Sequence, residues 1–255
     1  MGSYRFAFVT GASSGIGRAV SERLAARGTH VVLAARRKAL LEEVRAGIEA
    51  AGGSAEVCVL DVGDPAAVRA AVQDSDARTG GLDLVWANAG TGAARHALKL
   101  DAEEVDRVVG VNVRGAVATL LAGLDVMKAR DRGTLAATTS LAGVLPMPTS
   151  GAYSASKAFL TTFLSTLSID LARTGLRVCE LRPGFIETDM TAGNEFHMPF
   201  LWSLDRAADR CTASLEAARR VDAFPWPLYL PLRILRALPD PLWRAMAGRT
   251  RVARR

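Results

Sequence analysis

The sequence predicts an α/β protein, in which a doubly wound parallel β-sheet carries helices on both faces. Strand-like apolar runs alternate with helix-like segments along most of the chain, and strands that are joined through helices must run parallel. Aromatic residues make up 6% of the composition, whereas alanine and glycine are frequent, which favours helices packed closely against a sheet. With 255 residues, 49% of them hydrophobic, the chain is long enough for one large domain and requires no second one.

The predicted elements follow one another in a regular order. Apolar runs bounded by turn residues predict strands at residues 5–9, 30–34, 55–60, 82–87, 133–139, 176–181 and 221–226. Apolar residues at helical spacing predict helices at residues 16–27, 38–51, 65–79, 101–128 and 152–173. Ligands bind to sheets of this kind at the carboxyl ends of the strands, so we expect the functional residues there.

A glycine-rich segment, T-G-A-S-S-G-I-G at 10–17, directly follows the first predicted strand. Gly11, Gly15 and Gly17 lack a Cβ atom and therefore suit a tight turn that lets a pyrophosphate approach the N–H groups at the start of a helix. A simple helix-entry turn is the alternative, because a chain with 23 glycines contains chance spacings. The position of the loop in a strand–helix–strand unit favours a dinucleotide site.

Two arginines, Arg36 and Arg37, follow the second predicted strand. An NAD-specific site carries an acidic residue here for the ribose hydroxyls, whereas guanidinium groups bind a 2′-phosphate. The alternative is a pair of solvated charges at the start of a helix, where cations are slightly unfavourable. The pattern therefore favours NADP(H).

Tyr153 and Lys157 stand four residues apart in S-G-A-Y-S-A-S-K, and positions i and i+4 of a helix share one face. An ammonium group at 157 would favour the ionised form of a phenol at 153. A free phenol has a pKa of about 10. The lysine and a cationic nicotinamide together would make it a proton donor or acceptor near neutral pH. The alternative is an ordinary helical pair without a chemical role.

Cysteine and histidine usage argues against several other functions. Cys58, Cys179 and Cys211 lie in apolar or helical segments and are interpreted as reduced thiols, which favours a cytoplasmic over a secreted setting. The three histidines share no metal-ligand spacing, so we expect no metal site. The amino terminus has no secretory signal pattern, and no nucleic-acid-binding module accompanies the basic charge.

Taken together, these motifs resemble those of the short-chain dehydrogenase/reductase family, whose fold is Rossmann-like, over residues 4–190. The loop at 10–17 is similar to the family's T-G-x-x-x-G-x-G, Asp61-Val62 to its adenine-contacting position, and Asn88-Ala89-Gly90 to its N-A-G. The segment P-G-F-I-E-T at 183–188 is similar to the one that holds the nicotinamide carboxamide. One departure is that Trp86 and Ala87 precede Asn88, where the family often has a further asparagine.

The resemblance implies a site for NADP(H) and a catalytic tetrad of Asn112, Ser140, Tyr153 and Lys157. Tyr153 would exchange a proton with the substrate oxygen, which Ser140 would orient. Lys157 would bind the nicotinamide ribose and lower the pKa of the tyrosine, and Asn112 would interrupt its helix and hold a water that links the lysine to solvent. The implied cofactor-binding residues are Gly11, Ser13, Ser14, Gly15, Ile16, Gly17, Arg36, Arg37, Asp61, Val62, Asn88, Ala89, Gly90, Tyr153, Lys157, Pro183, Gly184, Ile186 and Thr188.

Beyond Thr188 the resemblance weakens, and residues 191–220 are interpreted as a substrate lid. Apolar and aromatic residues are concentrated in this region at Phe196, Met198, Pro199, Phe200, Leu201 and Trp202. They would either close over a hydrophobic pocket or pack into the core. The opposite wall is expected from Leu141, Val144, Leu145 and Met147. Such a pocket favours a lipophilic ketone or alcohol.

The carboxyl-terminal extension, residues 221–255, carries most of the net charge. Its seven arginines and two aspartates account for five of the six formal positive charges of the chain. Prolines and arginines interrupt the extension too often for a transmembrane helix. Two interpretations remain open. The extension either lies on an anionic membrane surface as an amphipathic segment, or packs over the pocket or a subunit interface.

The favoured function is an NADPH-dependent oxidoreductase that interconverts a carbonyl and a secondary alcohol of steroid, retinoid or aryl-ketone type. The hydride would come from nicotinamide C4 and the proton from Tyr153. One alternative is reduction of a 3-oxoacyl thioester of fatty-acid or polyketide type. An alternative of another class is a non-catalytic NADP(H)-binding sensor or scaffold, which would be expected to lack Tyr153 or Lys157. The family resemblance further implies a homodimer or homotetramer.

Overall fold

A computed structural model describes residues 4–92, 95–194 and 197–247 of the chain. Its strands form one sheet of seven, in which every neighbouring pair is parallel and the order is β3-β2-β1-β4-β5-β6-β7. The strands are β1 (Phe6–Thr10), β2 (His30–Ala35), β3 (Ser54–Val59), β4 (Leu84–Ala87), β5 (Gly133–Thr138), β6 (Leu176–Pro183) and β7 (Val221–Phe224). The predicted fold class is confirmed, and each predicted strand is present with its ends shifted by up to two residues.

Ten α-helices connect and follow these strands within the described residues. They are α1 (Gly15–Ala26), α2 (Lys38–Ala50), α3 (Pro65–Thr79), α4 (Ala102–Val109), α5 (Ala116–Met127), α6 (Gly151–Asp170), α7 (Asp189–Ala192), α8 (Leu204–Glu216), α9 (Trp226–Arg236) and α10 (Asp240–Ala247). The last four of these helices have no predicted bounds, although the helical segment predicted around Cys211 is confirmed as α8. The predicted helix at 101–128 is divided, because a π-helical turn, Gly110–Gly115, separates α4 from α5.

The helices cover both faces of the sheet. Successive residues of a strand point to opposite faces, and here both sets are apolar and are buried under helices. In β1, Ala7 and Val9 belong to a buried cluster with residues of α1, α2 and α8. Phe8 of the same strand belongs to a second cluster with residues of α3, α5 and α6. The site-bearing loops therefore rest on a sheet that is enclosed from both sides.

The stretch Ala102–Arg130 is long and apolar enough to cross a membrane, with a mean hydropathy of 1.4. Half of its most apolar window is buried inside the protein. Its residues Ala116 and Leu120 pack into the cluster beneath the sheet. Helix packing on a sheet explains this apolar composition.

A buried ion pair on β6 ties three parts of the site region together. Arg182 donates from Nε and Nη2 to the two carboxylate oxygens of Glu180 at 2.7 and 2.8 Å, and Glu180 is 1% exposed. The Glu180 Oε1 atom also accepts hydrogen bonds from the hydroxyls of Thr139 and Thr161, both at 2.8 Å. Glu180 thus links the end of β5 to the middle of α6, while Arg182 also interacts with Tyr229 of α9.

Replacing Glu180 by alanine should destabilise the protein strongly, because Arg182 would keep its charge in a buried position without a partner. Breaking a buried ion pair costs about 3 to 5 kcal/mol. The free energy of unfolding, measured by urea denaturation, should fall by that amount. The control is Glu22→Ala, which removes an exposed i,i+4 pair with Arg18 and should change stability little. Equal losses in the two variants would contradict the structural role of Glu180.

Candidate active site

The glycine loop forms a cradle between β1 and α1. Gly11 and Gly15 have φ values of +70° and +55°, a conformation that favours glycine. A Cβ atom on Gly11 would lie 2.8 Å from the Cα atom of Ala89, and one on Gly17 would overlap the carbonyl oxygen of Gly11. The side chain of Ser14, at the N-cap of α1, does not cap the first N–H groups of the helix. The loop therefore offers open backbone N–H groups and no obstructing side chains, which fits a pyrophosphate.

The arginine after β2 lies directly on this loop. Arg37 donates from Nη2 to the hydroxyls of Ser13 and Ser14, at 3.0 and 2.7 Å. Arg36 is exposed beside it. The guanidinium group of Arg37 therefore lies on the loop as the sequence predicts, and Arg36 precedes it directly after β2.

The residues after β3 and β4 complete the floor of the crevice. After β3, the carboxylate of Asp61 accepts a hydrogen bond from the Gly63 N–H at 2.9 Å, and Val62 is buried. After β4, the backbone N–H groups of Asn88 and Ala89 donate to the Thr10 hydroxyl at 3.0 and 3.1 Å.

Asn88 holds the glycine loop to the next strand. Its Nδ2 donates to the carbonyl of Thr10 at 3.1 Å, and its Oδ1 accepts from the hydroxyl of Thr138 at 3.0 Å. The indole N–H of Trp86 also bonds to the Thr138 hydroxyl, at 3.1 Å. Trp86 thus belongs to the same hydrogen-bond network. The contacts of Asn88 are therefore present although Trp86 and Ala87, and not a further asparagine, precede it. The sequence did not identify Thr10 and Thr138 as partners of Asn88. Their only signal in the sequence is a hydroxyl-bearing residue at the end of a strand.

Lys157, Asn112 and Gly90 converge above the end of β5. The Lys157 ammonium donates to the Thr138 carbonyl at 2.8 Å, and the side chain is 4% exposed. A Cβ atom on Gly90 would lie 3.5 Å from Lys157 Nζ and 3.6 Å from Asn112 Oδ1. A Cβ atom there would only touch the two groups, so Gly90 marks the place where the lysine and the asparagine approach each other.

Asn112 lies in the π-helical turn, as the predicted interruption of its helix requires. Its Nδ2 donates to the carbonyl of Thr91 at 2.8 Å and to the hydroxyl of Ser156 at 3.0 Å, while Oδ1 accepts from the Thr91 N–H at 2.8 Å. The widened turn and these bonds fix the buried amide against the loop that follows β4.

Tyr153 and Lys157 share one face of α6, and Ser140 faces the phenol. Lys157 Nζ lies 5.7 Å from the centre of the Tyr153 ring. A Cβ atom on Gly92 would lie 2.5 Å from Tyr153 Cδ2, so the ring rests on bare backbone. The Ser140 hydroxyl interacts with the Tyr153 phenol in the direction that lowers the pKa of the phenol. The structure therefore brings all four residues of the predicted tetrad to one edge of the sheet.

The segment after β6 passes beside the glycine loop. β6 ends at Pro183, and the Gly184 N–H then donates to the carbonyl of Phe224 at 2.7 Å. Ile186 is 3% exposed. Thr188 Cγ2 lies 3.5 Å from the position of a Cβ atom on Gly15. These contacts bring the carboxyl end of β6 to the loop that begins α1.

The sequence profile of the short chain dehydrogenase family matches residues 5–197. The chain belongs to the short-chain dehydrogenase family. As a short-chain dehydrogenase it is an oxidoreductase whose fold binds a nicotinamide cofactor.

Similar proteins share this fold along most of the chain. An uncharacterized oxidoreductase of Myxococcus xanthus is 44% identical over 249 residues, which cover 98% of both chains. A short-chain dehydrogenase/reductase of Burkholderia phymatum, solved in complex with NAD, has a TM-score of 0.84 at 25% identity and covers 91% of this chain and 94% of its own. An alcohol dehydrogenase of the archaeon Thermococcus sibiricus, complexed with 5-hydroxy-NADP, has a TM-score of 0.75 at 30% identity and covers 83% of this chain and 90% of its own.

The pKa values of the two central groups depart from their ordinary values in this short-chain dehydrogenase. Burial raises the pKa of the Tyr153 phenol, and the Ser140 hydroxyl acts in the opposite direction. The predicted lowering of the phenol pKa requires the lysine together with a cationic nicotinamide, so it stays a prediction for the complex with the cofactor. Burial also lowers the pKa of the Lys157 ammonium, to about 8.

The predicted substrate lid is divided between two environments. Trp202 stacks on Phe224 with ring centres 5.2 Å apart and packs against the core, as the core interpretation predicts. Phe200 and Leu201, by contrast, are 54% and 39% exposed. Phe196 lies outside the described residues. Of the predicted opposite wall, Leu141, Val144 and Leu145 are buried and Met147 is partly exposed.

Helix α9 packs beside the same wall. Packing over the pocket is one of the two interpretations of the carboxyl-terminal extension that the sequence left open. A Cβ atom on Gly184 would lie 3.0 Å from Pro225 Cδ, 3.2 Å from Leu228 Cδ2 and 3.3 Å from Leu141 Cδ1. The start of α9 therefore packs next to the residue that follows Ser140. A proline in the first turn is the sequence signal that could have placed this helix.

An open groove of about 610 Å³ lies at the opposite edge of the sheet. It is lined by residues at the end of α6 and at the start of β6, including Ser168 and Leu176. The amino ends of the strands form this edge, so the groove is separate from the catalytic groups.

The buried lysine should make the stability of the enzyme depend on pH in a defined direction. Its pKa is about 8 in the folded protein against 10.5 ordinarily, so the unfolded chain binds more protons between these values. Stability of the wild type should therefore rise relative to Lys157→Met as the pH increases from 8 to 10.5. Urea unfolding of both proteins across this range measures the difference. A constant difference would contradict the lowered pKa.

Proposed function

We propose that this short-chain dehydrogenase interconverts a carbonyl and a secondary alcohol with NADP(H). The observation that carries the proposal is the convergence of Tyr153, Lys157 and Ser140 at the sheet edge that also holds the glycine loop. A non-catalytic nucleotide-binding protein would have no need of a buried ammonium beside a phenol, whose burial carries a free-energy cost.

The proposed chemistry divides between cofactor and protein. Bound NADP(H) supplies or accepts a hydride at nicotinamide C4. Tyr153 donates its phenolic proton to the carbonyl oxygen during reduction and accepts it back during alcohol oxidation. Ser140 holds the same oxygen by a hydrogen bond, so that both groups act on one atom. Lys157 binds the nicotinamide ribose and favours the ionised phenol, in concert with the positive charge of an oxidised nicotinamide.

Asn112 and Lys157 are proposed to return the proton. Their side chains meet over Gly90, and Asn112 sits in a turn whose widened geometry interrupts the regular hydrogen bonds of the helix. A water held there would connect the ammonium to solvent. Because the pKa of Lys157 is lowered to about 8, the ammonium exchanges protons close to physiological pH.

The proposed cofactor site extends along the carboxyl edge of the sheet. The glycine loop would hold the pyrophosphate, Asp61 and Val62 would contact the adenine, and Ile186 and Thr188 would hold the nicotinamide carboxamide. Arg37, held over the loop by its bonds to Ser13 and Ser14, supports a site for a 2′-phosphate. Structural relatives bind both NAD and NADP forms, so the two arginines carry the preference for NADP(H).

The proposed substrate is a lipophilic ketone or alcohol, because the groups around Ser140 are apolar. Leu141, Val144 and Leu145 lie on one side, and Leu228 of α9 adjoins Gly184 on the other. Such walls offer few partners to a sugar or a charged acid.

The proposed organisation is a cytoplasmic homodimer or homotetramer of single-domain subunits. Residues 4–190 form the cofactor and catalytic core, 191–220 the substrate lid and 221–255 the extension. Leu121 of α5 and Phe159 of α6 are 41% and 48% exposed, and Phe159 stacks on Phe163. These apolar surfaces on neighbouring helices support a subunit contact there.

The catalytic assignment predicts that Tyr153→Phe loses at least about 100-fold in kcat, since acid–base catalysis supplies that factor or more. NADPH binding, followed by fluorescence, should stay nearly intact. Wild-type turnover should be found by NADPH absorbance with a panel of aryl, steroid and retinoid ketones. A 3-oxoacyl thioester on an acyl carrier serves as the comparison substrate. Full activity of Tyr153→Phe would overturn the role of the phenol, and turnover of the thioester alone would overturn the substrate class.

The cofactor assignment predicts that Arg37→Ala raises KM for NADPH by about tenfold or more, because a charge-assisted bidentate contact contributes at least about 1.5 kcal/mol. KM for NADH should change little. The matched control is Arg69→Ala, an exposed arginine on α3 whose loss should leave both KM values unchanged. A wild-type enzyme that turns over NADH faster than NADPH would show that the assignment is wrong.

A further inference from the structure

Helices α9 and α10 present an apolar surface to solvent. Five residues, which we call the C-terminal face, are each at least 50% exposed, although all of them are large and hydrophobic. They are Trp226, Leu230, Ile234, Leu242 and Met246. Within each helix they are spaced by four residues, so each set forms one stripe along the helix. Isolated exposed apolar residues are ordinary, but exposed stripes on two successive helices mark an interaction site.

The opposite side of α9 is attached to the body of the protein. Leu228 lies next to Gly184, and Tyr229 lies close enough to Arg182 of the buried ion pair on β6 to interact with its charge. Arg233 in turn lies 5.9 Å from the centre of the Tyr229 ring. The helix is therefore held in one orientation, and the stripe that it exposes is a consequence of this docking.

Positive charge accompanies the C-terminal face. Arg233, Arg236 and Arg244 are exposed on the same two helices. The sequence adds four arginines after residue 247. Of the two aspartates in the extension, Asp222 is buried and paired with Arg210, so it does not offset this charge at the surface.

We propose that the C-terminal face docks on an anionic lipid membrane. Tryptophan and aliphatic side chains on one side of a helix, flanked by arginines, are the pattern of helices that lie in the membrane interface. The arginines would contact anionic headgroups while the stripe enters the acyl boundary. A second copy of the chain fits less well, because a symmetric contact would bring arginine-rich surfaces together.

Docking in this way would place the substrate entrance at the lipid surface. β6 and β7 are neighbours, with Pro183 opposite Phe224, so the segments that follow both strands leave the same edge of the sheet. The segment after β6 exposes Met190, Phe200 and Leu201, and the segment after β7 begins α9. This part of the inference rests on the proposed function, since a lipophilic substrate would be supplied from the membrane.

Vesicle co-sedimentation of the full chain tests the docking without any need for turnover. Wild-type protein should bind to vesicles of phosphatidylglycerol and phosphatidylcholine at about 0.05 M sodium chloride and bind much less at about 0.5 M, where charges are screened. Vesicles of phosphatidylcholine alone should retain little protein. Trp226→Ser/Ile234→Ser and Arg233→Gln/Arg236→Gln should each weaken binding by about tenfold or more.

The matched control is Val59→Ser/Leu98→Ser, which removes two apolar side chains of comparable exposure outside the extension. It should bind as the wild type does, and circular dichroism checks that every variant is folded. Failure of the wild type to bind at low salt, or undiminished binding of Trp226→Ser/Ile234→Ser, would overturn the proposal. A change of oligomer mass without vesicle binding would overturn it in favour of a second copy. Because NADPH turnover with soluble ketones is measured separately, a failure here is distinct from a failure of the proposed function.

Discussion

The candidate active site depends on one buried hydrogen bond, which a lysine ammonium group donates to a backbone carbonyl. Lys157 donates to the Thr138 carbonyl at the end of β5, and the same threonine bonds through its hydroxyl to Asn88. Asn88 in turn holds the glycine loop through Thr10. The cofactor cradle and the catalytic helix are thus connected through the ends of three adjacent strands. Burying the charge disfavours it, as the lowered pKa of Lys157 shows, and this readiness to lose a proton suits a relay.

The pKa of Tyr153 in the protein alone differs in direction from the one that we propose for the complex with an oxidised cofactor. In the protein alone, desolvation raises the pKa of Tyr153, and the Ser140 hydroxyl opposes this effect. A raised pKa keeps the phenol protonated, which is the form that the proposed reduction needs. In the proposed oxidation of an alcohol, the positive charge of an oxidised nicotinamide would favour the ionised phenol.

The buried Glu180–Arg182 pair extends this connection towards the carboxyl terminus. Glu180 bonds to Thr139, which precedes Ser140, and to Thr161, which lies one helical turn beyond Lys157. Arg182 continues the chain of contacts to Tyr229 of α9. The helix that carries the C-terminal face is therefore attached to β6, whose Glu180 also bonds to the residue before Ser140. This polar cluster is buried beside the one around Lys157, and burial makes each of its bonds consequential.

The sequence by itself determined the parallel sheet, the glycine loop and the order of Asn112, Ser140, Tyr153 and Lys157, because these follow from local periodicity and from spacing along the chain. Only the tertiary structure decided the rest. Within the predicted lid, Trp202 packs on Phe224 whereas Phe200 is exposed. Helix α9 lies beside Gly184. Contacts between residues far apart in the chain depend on how strands and helices pack, and burial, which sets the pKa of Tyr153, exists only after they have packed.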